Sequence, residues 1–416
     1  MLYIHTNFQA VNCSQIFLYF LILFVLSSCK ESGNIGTGFV NESNIVIDTV
    51  FFSIPPSSKT TADPYLGKLA ISPVGFFNDP LFGSISAETY FKPSIINTSM
   101  SSITENHDLI LRLVIDANNY YGNKSLEGEF KVFRVNEFWR GSSFQMSEDL
   151  EVLKNETNQL TITEVGNFKL NEFDTLGIAE FSLGGTWKSD FIKFFNNTED
   201  RDSIYKYDDF GLAIVPENDV QKIIYTKFNQ SKLLIISPEQ DSIDRDTSIN
   251  TISDWAFDLE ALHGSAPEEN ITLNNTYNPF LNLDLTYTAN NIKNKNFFKA
   301  ELLLTVDSTI VNESLNVNEI RTINPPFRVQ IGPASDIAYS LGFNTSGVTA
   351  SIDNNVYRFD ITDVLNAYIY GNTEISDIFI YAAQNNGYLG FNTFFGENTV
   401  LEARPKILIY NVEESN

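Results

Sequence analysis

The chain has 416 residues, 43% of them hydrophobic, with 27 Lys and Arg against 52 Asp and Glu and a formal net charge of −25. A surface of that sign repels nucleic acid and anionic membrane, so polyanionic partners are not expected. Cys13 and Cys29 are the only cysteines, and His107 and His263 the only histidines after His5. That excludes thiolate catalysis, Cys-ligated zinc and iron–sulfur clusters beyond residue 29, and it leaves a His-rich metal site without ligands.

The chain opens on an apolar run, Ile16 to Leu26, followed directly by Ser27-Ser28-Cys29. The run is too short to span a bilayer and suits the h-region of a secretory signal. Its n-region holds no Lys or Arg, only His5, where a cationic stretch is usual. Leu26-Ser27-Ser28-Cys29 resembles a bacterial lipoprotein lipobox. The resemblance implies removal of residues 1–28, acylation of Cys29 and a membrane contact made through the lipid. Lys30-Glu31 is similar in part to the signal that exports such lipoproteins to the cell surface in the Bacteroidota. Residues 29–43 are rich in Gly, Ser and Asn and read as the lipidated Cys and a flexible tether.

From residue 44 the pattern is short apolar runs broken by turn formers. Asn44 to Ser53, Leu109 to Ile115, Phe130 to Val135, Phe210 to Val215, Lys232 to Ile236, Ala300 to Val306, Asp377 to Tyr381 and Lys406 to Tyr410 have strand composition. Amphipathic helical stretches are scarce, so the expected fold is all-β, with two tandem β-sandwich domains and a few short helices. Ile178 to Phe195 and Tyr357 to Tyr370 each begin as a strand and turn helix-like, with Thr362 placed as an N-cap.

Several elements recur in one order. Leu109–Asp116 matches Ala300–Asp307, Phe130–Val135 matches Pro326–Ile331, Phe210–Val215 matches Ile378–Ala382, and Ser231–Ile236 matches Pro405–Tyr410. That order suggests a duplication, with residues 44–240 as the first sandwich and 241–416 as the second, parted at the polar run Glu239 to Thr251.

Ala300-Glu-Leu-Leu-Leu304, Phe359-Asp-Ile-Thr-Asp-Val364 and Ala403-Arg-Pro-Lys-Ile-Leu-Ile-Tyr410 resemble the carbohydrate-module-like jelly roll of the DNRLRE type. Asn34-Ile-Gly-Thr-Gly38, Gly75-Phe-Phe-Asn-Asp-Pro-Leu-Phe-Gly83 and Ser86-Ala-Glu-Thr-Tyr90 together resemble the Bacteroidota surface lipoprotein family DUF4270. The second resemblance implies an outer-membrane address and an architecture but no reaction.

Candidate site residues are few. Asn78 and Asp79 of Asn78-Asp79-Pro80-Leu81-Phe82-Gly83 offer oxygens to Ca²⁺ or to a sugar hydroxyl, or else an Asx hydrogen bond that closes a turn. Trp139 and Trp187 offer flat faces for stacking on a sugar ring, or else core packing. Trp255 is the third tryptophan. No metal ligand set, P-loop, dinucleotide fingerprint or Gly-x-Ser-x-Gly is present, and no catalytic residue is assigned. The expected function is non-catalytic binding on a lipid-anchored envelope protein, with a glycan as leading ligand. Two other readings stay open: an assembly component of an outer-membrane complex, and a hydrolase with an unrecognised site.

Overall fold

The computed structural model describes residues 45–51, 59–60, 65–95, 100–145, 164–170, 177–197, 199, 201–217, 220–238, 246–261, 270–274, 280–283, 285–313, 315–316, 318–321, 329–333, 348–370, 378–382 and 386–412. The apolar run, Cys29 and His263 lie outside them.

In chain order the strands of the first half are β1 (Ile45–Phe51), β2 (Lys59–Thr60), β3 (Ser72–Asp79), β4 (Gly83–Pro93), β5 (Asp108–Asn123), β6 (Gly128–Arg134), β7 (Gly166–Leu170), β8 (Ile178–Ser182), β9 (Leu212–Pro216), β10 (Lys222–Thr226), β11 (Lys232–Ile236) and β12 (Thr247–Ala261). Helices α1 (Gly185–Asn196) and α2 (Arg201–Asp208) stand between β8 and β9. Then follow β13 (Ile271–Asn274), β14 (Phe280–Leu283), α3 (Thr286–Ile292), β15 (Phe297–Thr305), α4 (Ser308–Glu313), β16 (Glu319–Ile320), β17 (Val329–Pro333), β18 (Val348–Thr349), β19 (Ser351–Asp353), β20 (Val356–Asp360), α5 (Thr362–Ile369), β21 (Ile378–Ala382), β22 (Phe391–Phe394) and β23 (Lys406–Val412). The protein is all-β, and its strand pairs are antiparallel.

The first sandwich is built on two long strands that pass from one layer to the other. The first part of β5 lies between β11 and β8, and its second part pairs with β10. β12 pairs first with β11 through Thr251 and then, from Ile252 on, with β4, with a register shift between Ile252 and Asp254. Such irregularities bend a strand and raise its twist, which lets one strand serve two layers. Alternate side chains of the central strands enter two cores. Phe91, Leu212, Ile214 and Ile224 join Leu109, Leu111, Leu113, Leu233 and Trp187 in the first. Tyr90, Ala213, Ile223 and Tyr225 point the other way, into a second core that also takes Leu389 and Phe391.

The second sandwich packs the sheet β1-β23-β15-β20-β19 against β18-β17-β21-β14-β2. Ala300, Leu302, Leu304, Phe359, Ile407 and Ile409 from the one meet Val329, Ile331 and Ile380 from the other. Leu365 of α5 and Ile292 of α3 close this core.

The recurring order has a structural counterpart. In the first half β5 sits between β8 and β11, with Leu111 opposite Phe181 and Leu233. In the second, β15 sits between β20 and β23, with Leu302 opposite Phe359 and Ile407. Leu111 with Leu302 and Leu233 with Ile407 are positions that the sequence match pairs. The Leu183 N–H donates to Leu109 O at 2.7 Å, and the Ile361 N–H donates to Ala300 O at 2.9 Å. Each of these bonds leads its chain from the strand into a helix, α1 or α5.

Two details depart from expectation. The boundary between residues 240 and 241 falls between β11 and β12, which are paired neighbours in the first sandwich. Conversely β1, assigned to the first sandwich, is the edge strand of the second, running Ile45 against Val412 to Phe51 against Lys406. Pairing with β11 and, over a longer stretch, with β4 claims β12, and the open edge of β23 claims β1. The second departure concerns Thr362, which is the first residue of α5 rather than its cap. Its hydroxyl donates to Asp360 Oδ1 and accepts the Ala300 N–H.

Candidate functional site

The Asn78–Gly83 motif is the turn that joins β3 to β4, with Asp79 opposite Gly83. Asp79 Oδ1 accepts the N–H groups of Leu81 and Phe82 at 2.8 and 2.9 Å, the Asx closure that the residue types allow. What the motif did not reveal is a buried ion pair. Arg321 reaches Asp79 with Nε to Oδ2 at 2.7 Å and Nη2 to Oδ1 at 2.6 Å, and the Tyr121 hydroxyl donates to Oδ2 at 2.5 Å. The guanidinium also lies 4.9 Å from the Phe82 ring centre, and Phe82 stacks on Phe391. Burial pushes the Asp79 carboxyl up, but the Arg321 bonds and charge, with Tyr121 and the Phe82 N–H, outweigh it and hold the group below the usual range.

A second bond set of the same kind lies on β5. Asp116 accepts from the Tyr388 hydroxyl, from Asn119 at 3.0 Å and from the Asn118 N–H at 3.2 Å, with Lys227 at 3.4 Å. Burial raises the Asp116 carboxyl, and these partners bring it below its ordinary value. Both sets tie the first sheet to residues of the C-terminal half. They fix segments of the C-terminal half against the first sandwich and engage both buried carboxylates in internal bonds. Asp79 is therefore corrected from a Ca²⁺ or sugar ligand to a structural anion. Asn78 remains exposed, with its Oδ1 held by the Ser84 hydroxyl at 2.5 Å. Among the described residues no group of three or more His, Cys, Asp and Glu is placed to hold a metal ion.

The tryptophans need the same correction. Trp187, in the first turn of α1, is 0% exposed and packs on Phe191. Trp139 is buried against Tyr90 and Phe144. Neither can offer a face to a sugar. Trp255 is part-buried, its indole N–H held by Leu69 O at 2.8 Å and its ring covered by the Lys68 ammonium.

Phe138, the neighbour of Trp139, is exposed. It is 45% exposed and stacks on Tyr207 of α2, which is 52% exposed, with ring centres 5.9 Å apart and planes inclined by 23°. The Arg140 guanidinium lies 5.2 Å from the Phe138 ring centre, and the Lys206 ammonium 5.3 Å from that of Tyr207. Both are cation–π distances.

Buried groups hold this pair in place. The Trp139 indole N–H donates to Phe210 O at 2.7 Å, which joins the Phe138 segment to the end of α2. The Val135 N–H donates to Gly211 O at 3.1 Å, and the Gly211 N–H to Asp209 Oδ1 at 2.7 Å. Lys92 caps the last turn of α2 through Tyr205 O at 2.8 Å, Lys206 O at 3.1 Å and Asp209 O. A cation at a helix C-terminus satisfies its carbonyls and its dipole. Burial pushes the Lys92 ammonium down to about 8. It pushes the Asp209 carboxyl up, and Asp209 Oδ2 has no hydrogen-bond partner among the described residues. Beyond Arg140 the chain turns through Gly141, where a Cβ would lie 2.4 Å from Trp255 O; no larger residue fits there.

The comparisons add no relative that bears on function. No family model matches the chain, and no curated protein matches it. The solved structure of the Macrobrachium rosenbergii nodavirus is similar at 11% identity, over 92% of this chain and 95% of that one, with a TM-score of 0.12. A likeness of that size carries no argument about fold or function.

Proposed function

We propose that this protein is a lipid-anchored, non-catalytic glycan-binding protein of the outer membrane, displayed at the cell surface, and that Phe138 and Tyr207 form its recognition platform. The observation that carries the reading is this stacked aromatic pair, exposed to solvent and mounted on buried hydrogen bonds. Phe138 and Tyr207 turn one face each to the other and carry Arg140 and Lys206 over their rings, so the surface offered to a sugar's apolar C–H groups is the exposed ring edges of the stack. Fixing two rings beforehand lowers the entropy lost on binding.

The test is a screen of the protein against immobilised polysaccharides, with Ca²⁺ and with chelator. Binding of at least one polysaccharide is expected, and Phe138→Ala with Tyr207→Ala is expected to weaken it by about 1–3 kcal/mol, the sum of two aromatic contacts. Undiminished binding by the double variant would move the site elsewhere.

The anchor has its own test. The fifteen residues between Cys29 and Ile45 can extend to about 50 Å, enough to hold β1 clear of a bilayer surface. Wild type grown with a labelled fatty acid is expected to incorporate the label and Cys29→Ala is expected to lose it, because a single residue carries the acyl chains. Equal labelling of the two would contradict lipid anchoring at Cys29.

A further inference from the structure

We infer that the ligand of the Phe138–Tyr207 platform is an acidic glycan, with isolated carboxylates set along an otherwise neutral chain, and that Arg140 and Lys206 bind those carboxylates. The inference rests on the glycan reading above. The charges that the structure places at the two rings are both positive: the Arg140 guanidinium lies 5.2 Å from the Phe138 ring centre, and the Lys206 ammonium 5.3 Å from that of Tyr207. Both residues are exposed, and neither side chain has an ion pair among the described residues. Acidic residues outnumber basic ones by 52 to 27, so surface cations have carboxylates in excess to pair with. Arg134, on the strand that leads to Phe138, pairs with Asp190 at 2.8 Å, and Lys193 pairs with the same carboxylate at 3.0 Å. Arg140 and Lys206 rest on aromatic rings instead.

A cation drawn to a ring face keeps its charge and its N–H donors. A guanidinium matches the two oxygens of a carboxylate with parallel bonds, and an ammonium adds a point charge with three donors. Holding each cation over a ring restricts its rotamers before a ligand arrives, which lowers the cost of ordering it. A neutral sugar would use the ring edges and leave both charges unmatched. A densely charged polymer would meet the repulsion of a chain that carries −25 overall. Screening confines such forces to about 8 Å at physiological salt. A lone carboxylate at the rings therefore gains the attraction of the two cations, while the neutral sugars around it escape the repulsion.

The experiment measures binding of the full-length protein in detergent at about 50 mM and about 500 mM NaCl, concentrations that change the screening length severalfold. The probes are a glucuronoxylan, a glucuronate-bearing arabinogalactan, and the same two polymers with their carboxyl groups reduced to alcohols. Polygalacturonate and alginate serve as densely charged polymers. At least one sparsely acidic polymer is expected to bind about tenfold or more tighter than its reduced form at the lower salt, and to lose most of that margin at the higher salt. Arg140→Gln with Lys206→Gln, which keeps both rings, is expected to bring the acidic form down to the affinity of the reduced form and to leave the reduced form within about twofold of its wild-type affinity. Acidic and reduced forms bound alike by wild type overturn this inference while the glycan reading stands. Tighter binding of polygalacturonate or alginate than of either sparsely acidic polymer does the same. Binding to none of the polymers overturns both.

Discussion

Arg321→Ala is expected to lower the stability of the protein to denaturant by about 3–5 kcal/mol, the cost of leaving a buried carboxylate without its cation. Asp79 and Arg321 are both buried, and two charge-assisted bonds of 2.6 and 2.7 Å join them across 242 positions of sequence. The pair itself gains little over a well-packed apolar pair, since desolvation offsets much of the attraction. Breaking one side is what costs, because Asp79 then keeps its charge in an apolar setting beside Phe82 and Tyr121. Asp79→Asn is expected to cost a similar amount: the amide oxygen still accepts the Leu81 and Phe82 N–H groups, but the Arg321 guanidinium is left buried without its counter-charge.

The pH dependence follows from the same group. The folded Asp79 carboxyl titrates below its ordinary value of 3.8, so the unfolded chain binds the proton more readily. This stability is present in full above pH 3.8 and is lost as the pH falls through the lower folded value. Arg321→Ala is expected to flatten the acid limb of the stability profile, as measured by urea unfolding between pH 2 and pH 7. A loss under about 1 kcal/mol, with the acid limb unchanged, would show that the pair is not the fastening described here.

Trp187→Ala is expected to destabilise the first sandwich by about 3–5 kcal/mol through the cavity that it leaves. The indole is fully buried among Phe191 and the first core, and its N–H has no hydrogen-bond partner among the described residues. Trp187→Phe separates the two contributions. It keeps much of the volume and removes a buried orphan donor, whose burial costs about 1–3 kcal/mol. The phenylalanine variant is therefore expected to lie much closer to wild type than the alanine variant. Thermal unfolding of both checks this, and a Trp187→Ala protein as stable as wild type would contradict the buried placement. Trp187→Phe should also leave glycan binding unchanged, because the indole has no path to solvent.

Strand character was legible in the sequence because β-branched and aromatic runs ended at turn formers. The recurring order of elements was legible as well, and the matched strands take like places, with Leu111 opposite Leu233 and Leu302 opposite Ile407. The domain boundary was not. β12 begins inside a polar run, and its membership is decided by pairing to β4, about 165 positions earlier in sequence. The edge position of β1 is hidden for the same reason, since its partner β23 lies at the other end of the chain.

The candidate site was missed by one residue. In Phe138-Trp139-Arg140 the sequence marks two adjacent aromatics, and only the fold decides which faces inward. Trp139 turns in because its indole N–H finds Phe210 O, and that places Phe138 outside. Tyr207 had a readable signal, an aromatic flanked by Lys206 and Asp208 on a short polar helix, but nothing local tied it to Phe138. Asp79 was read correctly as a turn former, yet its second role depends on Arg321, which no local pattern connects to it.

The most direct test of the central claim is calorimetric titration of a screened polysaccharide into wild type and into the Phe138→Ala, Tyr207→Ala double variant at matched stability. A loss of affinity of about tenfold or more in the double variant, with Trp187→Phe binding as wild type does, is the predicted result. Equal affinity in wild type and the double variant would contradict the claim that the Phe138–Tyr207 platform is the binding site.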